Sequence, residues 1–157
     1  MRRVISLVNM TAAALIAGIV GPCLFPLQAQ AAEPTPIQMI LADPSVYHLR
    51  QTGLQGMVRR VQPLDPYETP SGTRCYGAYL FQLDDDTGVI DVAVTGLCGI
   101  PLVKDPDVQE GDRVFVDATI QAPSHGGYSL TLQGLKVTTE QEGTIQAVAT
   151  RITPLPE

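Results

Sequence analysis

The chain has 157 residues, with 10 basic against 16 acidic side chains, a formal charge of −6 and no tryptophan. An acidic balance disfavours phosphate-backbone partners, which are held through clustered Lys and Arg, and leaves proteins and small ligands as the expected partner classes. No internal repeat of fixed period and no long block of like charge is present, which sets solenoids and low-complexity tails aside.

Arg2 and Arg3 precede an apolar run from Val4 to about Leu27, and Gln28-Ala29-Gln30-Ala31 then places alanines where a signal peptidase reads them. The expectation is a signal peptide over residues 1–31, cleavage before Ala32, and a periplasmic or secreted protein. The alternative is a retained anchor, because the run approaches the roughly 20 residues that span a bilayer; Gly21-Pro22 and Pro26 interrupt it and favour cleavage. Membrane contact is expected only through an uncleaved leader. Removing Arg2 and Arg3 takes the charge from −6 to −8, and removing Cys23 leaves an even pair of cysteines. About 126 residues then remain, enough for one domain and one core.

Residues 32–51 read as a linker and a short helix. Thr35 suits the N-cap, Pro36 the first helical position, and Gln38 completes a Thr-x-x-Gln capping box, so the helix should run from Pro36 to about Ala42. Ile37, Ile40 and Leu41 share one side, as a lid on a barrel end would require. Asp43-Pro44 stops the helix and Tyr47 follows as a packing residue. Leu54, Gly56 and Val58 then alternate with Gln55, Met57 and Arg59 in a first strand, with Gly56 placed to relieve a bend. A proline-bearing loop from Pro63 to Thr73 leads on.

The next segment is symmetric about the turn Asp85-Asp86-Thr87-Gly88. Pairing Asp84 with Val89 sets Leu83 against Ile90, Phe81 against Val92, Tyr79 against Val94, Gly77 against Gly96 and Cys75 against Cys98, all on one face. The opposite face, with Gln82 against Asp91, Leu80 against Ala93 and Tyr76 against Leu97, is mixed and partly wet. A slip of one residue would turn the apolar row outward and separate the sulfurs, so pattern and cysteines demand the same register. A cross-strand disulfide between Cys75 and Cys98 is expected, and an exported chain permits it.

Gly99 to Glu110 carries Pro101 and Pro106 and reads as a covering loop. Val114, Val116, Ala118 and Ile120 alternate as a fourth strand; Tyr128, Leu130 and Leu132 begin a fifth, which continues through a bulge at Gly134 to Leu135 and Val137. The barrel is thus expected over residues 52–138, and residues 139–157 form a C-terminal extension in which Ile145 to Ile152 suits an added edge strand. The fold class is all-β.

The sequence Leu54-x-Gly56-x-Val58, Tyr79-x-Phe81-x-Leu83-Asp84, Asp86-Thr87-Gly88, Ile90-x-Val92-x-Val94 and Glu110-Gly111-Asp112-Arg113-Val114-x-Val116 resembles an OB-fold domain. The similarity is to bacterial anticodon-binding-like OB families and to exported bacterial OB-fold proteins, over about Asp43 to Thr138. It implies a five-stranded Greek-key barrel with a short N-terminal helix, and it implies no reaction. The proline-bearing loop stands where many OB-folds carry a helix between strands three and four.

Candidate chemistry is sparse. Asp84-Asp85-Asp86-Thr87-Gly88 is similar to the start of a calcium loop but lacks the later acidic ligand, and reads as a polar turn. His48 and His125 have no metal-ligand spacing, so no metal is expected. Cys75 and Cys98 lack a Cys-x-x-Cys arrangement and read as structural. No nucleophile or carboxylate pair stands out; the chain reads as a binding module without a cofactor and not as an enzyme. In OB-folds the ligand face is the outside of strands two and three with the flanking loops. Carried onto this chain, the resemblance implies Tyr67, Arg74, Tyr76, Gln82, Asp91, Thr95, His125 and Tyr128 as ligand-binding residues. Tyr67 and Tyr76 equally suit covering barrel edges. Two functions follow: an exported module for a protein or small ligand at the cell envelope, favoured by charge and leader, and single-stranded nucleic-acid or oligosaccharide binding, favoured by the fold alone.

Overall fold

The computed structural model describes residues 33–102, 105–122, 126–138 and 144–156; the expected leader and its cleavage site lie outside these. Two short helices, α1 (Ile37–Ala42) and α2 (Pro44–Tyr47), precede the long strand β1 (Gln51–Pro63). Then come β2 (Tyr67–Glu68), β3 (Arg74–Tyr76), β4 (Tyr79–Asp84), β5 (Val89–Val94) and β6 (Leu97–Cys98). The chain continues with β7 (Arg113–Gln121), β8 (Gly127–Thr131), β9 (Gly134–Thr138) and β10 (Gln146–Pro154).

Five strands close a barrel in the order β1-β4-β5-β10-β7, with β7 pairing back onto β1. The β5–β10 pair is parallel and the other barrel pairs are antiparallel. This is the Greek-key arrangement of an OB-fold. Strand alternation fills the interior: Val114, Val116, Ala118 and Ile120 of β7 are fully buried, as are Leu54 and Val58 of β1.

β1 serves two partners. It pairs with β7 from Gln51 to Met57 and with β4 from Met57 to Pro63. The chain has to bend where the partners change, and there a Cβ on Gly56 would stand 2.5 Å from the Asp84 carbonyl oxygen. Gly56 is therefore the expected corner. A second irregularity falls between Arg59 and Gln62, where Arg60 takes the left-handed conformation (φ 48).

The hairpin register is the one the pattern demands, from Asp84↔Val89 through Phe81↔Val92 to Tyr79↔Val94, and then Tyr76↔Leu97 and Cys75↔Cys98. Cys75 and Cys98 are disulfide-bonded, with Cα atoms 3.9 Å apart. The single continuous face is corrected, however. Gly77 and Gly96 both have left-handed φ, 69 and 72, and break the ribbon between β4–β5 and β3–β6. Beyond that break Cys75 packs with Tyr67, Ala78, Ala93 and Leu130, in a second cluster separate from the barrel core that holds Phe81 and Val92.

The fifth strand also differs. Residues 127–138 form a separate hairpin, β8–β9, and the barrel is closed by β10, so the barrel strands reach Pro154 and lie partly in what was expected to be a C-terminal extension. The physical reason is space and reach. β10 turns back antiparallel on β7, with Gln146 opposite Gln121, and brings Ala147 and Ala149 against it; the connection from β5 to its parallel partner β10 is long and passes through β7. Ala-Val-Ala-Thr-Arg-Ile alternates too weakly to stand out beside the stronger Tyr128-Leu130-Leu132 row, two of whose members are exposed.

The N-terminal helix plugs the barrel as expected, with Ile37 and Ile40 fully buried in the core and Tyr47 packed beside it. Its cap is not the expected one. Helix α1 begins at Ile37 without a local side-chain cap, and the Thr35 N–H donates to the Gly53 carbonyl at 2.8 Å. Instead the β4–β5 turn caps it: Ile37 N–H donates to Asp85 Oδ2 at 2.7 Å and Gln38 N–H to Thr87 Oγ1 at 3.1 Å. Asp85 Oδ1 also accepts from the Thr87 N–H, the Thr87 hydroxyl and the Gly88 N–H. Val108, from the loop between β6 and β7, enters the same core from the position where many OB-folds place a helix.

Burial alone would raise the Asp85 carboxyl, but donation from Ile37, Thr87 and Gly88 outweighs it and holds the group below the usual carboxylate value. A depressed folded pKa stabilises the fold above the unfolded value, near about 4, and the contribution drains away as pH falls through the folded value. Asp85→Ala should therefore cost about 1 kcal/mol at neutral pH, a typical cap loss. The gap between wild type and variant should narrow as pH falls below the unfolded carboxylate value and through the lowered folded one. Urea midpoints across pH measure it, and a gap that persists in acid would contradict the assignment. Separately, Cys75→Ala/Cys98→Ala should lose about 3 kcal/mol, because the bond closes a loop with a sequence separation of 23. Denaturation with and without reductant gives the comparison.

Candidate ligand cleft on the outer barrel face

Pleating sends Leu80, Gln82, Asp91 and Ala93 to the outside of β4 and β5. Half of that face is covered by the chain itself. Leu130 and Leu135 of the β8–β9 hairpin, with Tyr67 and Leu64, pack on Ala78, Leu80 and Ala93 as a second small core. The Gln146 side chain pins the hairpin there: its Nε2 donates to the Leu130 carbonyl and its Oε1 accepts from the Leu130 N–H, each at 2.9 Å and buried. Leu130 thus turns its backbone groups away from Leu135, its partner in the hairpin, and Gln146 stands in for a third strand. Gly134 (φ 101) lets the backbone approach Tyr67, where a Cβ would meet the Tyr67 Cβ at 3.0 Å.

What stays open is a cleft of about 340 Å³ lined by Arg60, Gln62, Gln82, Asp91, Gln133 and Thr144, with Leu80 and Leu132 as apolar wall. Gln82 Nε2 donates to Asp91 Oδ1 at 3.2 Å, the cross-strand pair that the register implied. The ring in the lining is that of Phe81, which faces the barrel core and is 1% exposed, so among the described residues the cleft offers no stacking platform. Its chemistry is that of carboxamides, one carboxylate and one guanidinium: donors and acceptors in mixed order.

Of the residues that the resemblance put forward, Gln82 and Asp91 meet in this cleft. Tyr67 does not face ligand: it is 8% exposed, and its hydroxyl donates to the Thr95 carbonyl at 2.9 Å. Burial raises its pKa. Arg74 lies on β3, paired with Glu68 at 3.0 Å. Tyr76 and Thr95 line a different hollow, at the far end of the β4–β5 ribbon. Tyr128 is exposed on the hairpin opposite Val137, and His125 lies outside the described residues. The expected surface is thus divided, because the ribbon breaks at Gly77 and Gly96 and because the hairpin covers its middle.

Arg60, Gln62, Gln133 and Gln146 were not legible as site residues. Arg60 reaches the cleft through a bulge that leaves no mark in the alternation, and Gln146 depends on a strand pairing distant in sequence. Among the described residues no group of three or more His, Cys, Asp or Glu side chains could hold a metal ion. His48 has a local role, its Nδ1 accepting from the Ala122 N–H at 3.2 Å.

The strand order, the parallel β5–β10 closure and the shared β1 define the class: this is an OB-fold barrel protein. No family model matches the chain and no curated protein sequence matches it. Among solved structures it is similar to the second OB-fold domain of replication protein A from Methanococcus maripaludis, at 15% identity and a TM-score of 0.44, over 70% of this chain and 88% of that one. It is also similar to a protein assigned as an aspartyl-tRNA synthetase from Leishmania major Friedlin, at 11% identity and a TM-score of 0.48, over 85% of this chain and 23% of that one. The fold assignment rests on strand order and register.

Gln146→Ala should leave the Leu130 N–H and carbonyl buried without partners, at a cost on the order of 2 kcal/mol or more. Amide exchange at Ser129 and Leu130 should accelerate well beyond that of β7. Unchanged protection at both residues would show that the hairpin is held by packing alone.

Proposed function

We propose that the chain is an exported, non-catalytic binding module whose outer-face cleft takes a small, uncharged, hydrogen-bonding ligand. One observation carries this reading: where an OB-fold presents its ligand face, this chain has laid its own hairpin and Tyr67, leaving a hollow lined by Gln62, Gln82 and Gln133 beside Arg60 and Asp91. Carboxamides donate and accept at once, so they recognise neutral polar groups without requiring a compensating charge. Binding is favoured over catalysis because the described lining of the cleft has one carboxylate, Asp91, and no His, Cys or Lys to pair with it. Export is supported by the leader pattern and by the Cys75–Cys98 bond.

The fold itself favours a second reading, single-stranded nucleic-acid or oligosaccharide binding. Strand binding usually combines a basic groove with several stacking rings, and the lining of this cleft has Arg60 as its basic residue.

Two measurements separate them. Native mass spectrometry of the mature protein, purified without denaturation from its own host, should show a small-molecule adduct that Gln82→Ala/Asp91→Ala loses. Fluorescence anisotropy with labelled single-stranded oligonucleotides should show only weak binding that vanishes as salt rises. Submicromolar affinity that falls on replacing Arg60 would overturn the small-ligand reading in favour of the second.

A further inference from the structure

We infer that the unpaired edge of β10 is a second binding site, one that takes an extended segment of a partner protein as an added strand. β10 pairs with β5 only as far as Val148, opposite Ala93, whereas its pairing with β7 runs on to Pro154, opposite Val114. Residues 149–154 are therefore paired along one edge, and no strand among the described residues pairs with the other. A hollow of about 500 Å³ lies there, lined by β10 from Ala149 to Ile152 and at Pro154, with Tyr79, Val94 and Asp107 as its remaining wall. It shares no lining residue with the outer-face cleft, so the inference goes beyond the function proposed above.

The phase of the ladder says which backbone groups are open. In an antiparallel pair, alternate residues direct their N–H and C=O to the partner, and the residues between direct theirs away. The Leu155 N–H donates to the Arg113 carbonyl at 2.8 Å, so Leu155 and Thr153 face β7. Ile152 then turns both its N–H and its carbonyl to the open edge, and Pro154, which has no N–H, adds a carbonyl. The far side of β7 agrees. The Val58 N–H donates to the Asp112 carbonyl at 2.8 Å, which makes Leu54 and Val116 a bonded pair, so Val116 directs its groups to β1 and not to Ile152.

A donor and an acceptor side by side on a strand edge are the complement of another peptide backbone. A segment laid there continues the ladder that β5 begins with Gln146 to Val148, an interface already in place. The Ile152 side chain packs against the barrel core, as do Val94 and Ala149, and opposed residues share a face. The incoming residue opposite Ile152 is thus apolar, and its neighbours, beside the exposed Arg151 and Thr153, are polar. The chain carries a charge of −6 and the Arg151 guanidinium is engaged by Asp117 in two contacts of 2.7 Å, so basic polar residues suit better than acidic ones. The irregularity between Ala149 and Arg151 and the proline at 154 bracket the edge, which limits it to a short segment. A second copy's β10 would carry its own β7 and barrel into the space that Tyr79, Val94 and Asp107 occupy, so a free extended segment is the fit.

The test is ¹⁵N NMR and amide exchange on the mature protein with the end-blocked peptide Lys-Thr-Val-Thr-Lys at millimolar concentration. In the free protein the Ile152 amide should exchange about tenfold or more faster than that of Thr153, which is bonded to β7. The peptide should shift Val94, Ala149 and Ile152 saturably and slow Ile152 exchange about fivefold or more. Aspartate in place of the peptide's valine should abolish both effects. So should methylation of every backbone nitrogen of the peptide, which keeps both lysines and removes the donors. An Ile152 amide as protected as Thr153 in the free protein would overturn the inference, since the edge would then be paired already. Absence of any shift, equal binding of the methylated peptide, or shifts centred on Gln82 and Asp91 would overturn it too. Protection of Ile152 that rises with protein concentration alone would replace the partner segment by a second copy, against the inference.

Discussion

The parallel pairing of β10 with β5 is the constraint on which the rest of this molecule depends. A barrel of five strands has no free edge only if the last strand fits between the third and the fourth, and here that strand must run parallel to one neighbour and antiparallel to the other. The connection from β5 to that strand runs through β7, on which β10 turns back antiparallel with Gln146 opposite Gln121. The segment between β7 and β10 is far longer than such a turn requires, and it folds into the β8–β9 hairpin, whose Leu130 and Leu135 pack on the barrel wall.

From that segment follow both the second core and the shape of the outer-face cleft. Small side chains on the outer face, Ala78 and Ala93, let Leu130 approach, and the Gln146 carboxamide at the start of β10 completes the backbone of the strand that lands there. One residue thus belongs to barrel closure and to hairpin docking together. The face that an OB-fold leaves open becomes partly interior, and what stays open is lined by amide side chains.

The barrel end shows the same economy of parts. A six-residue helix has too few internal hydrogen bonds to be stable alone, and α1 borrows its cap from a turn 48 residues away. In exchange it inserts Ile37 and Ile40 into the core. Helix and hairpin turn therefore stabilise each other, and the run of aspartates from Asp84 to Asp86 finds its use as a donor-satisfying turn.

The sequence by itself determined the hairpin register, the disulfide, the corner at Gly56 and the all-β barrel. Each of these is written in local terms: a period of two, mirror-image cysteines about one turn, a glycine where two pairings meet. Only the tertiary structure decided which segment closes the barrel, where the helix finds its cap, and which residues gather in the cleft. Those depend on contacts between positions far apart in the chain, where Ala147 counts for its small size and Gln146 for its reach, and neither property produces a periodic signal. The glycines at 77 and 96 mark the boundary between the two kinds of knowledge. Their pairing was legible, but the left-handed turn that carries Cys75 from the barrel row into the second core is a backbone choice that glycine permits and only the surrounding packing selects.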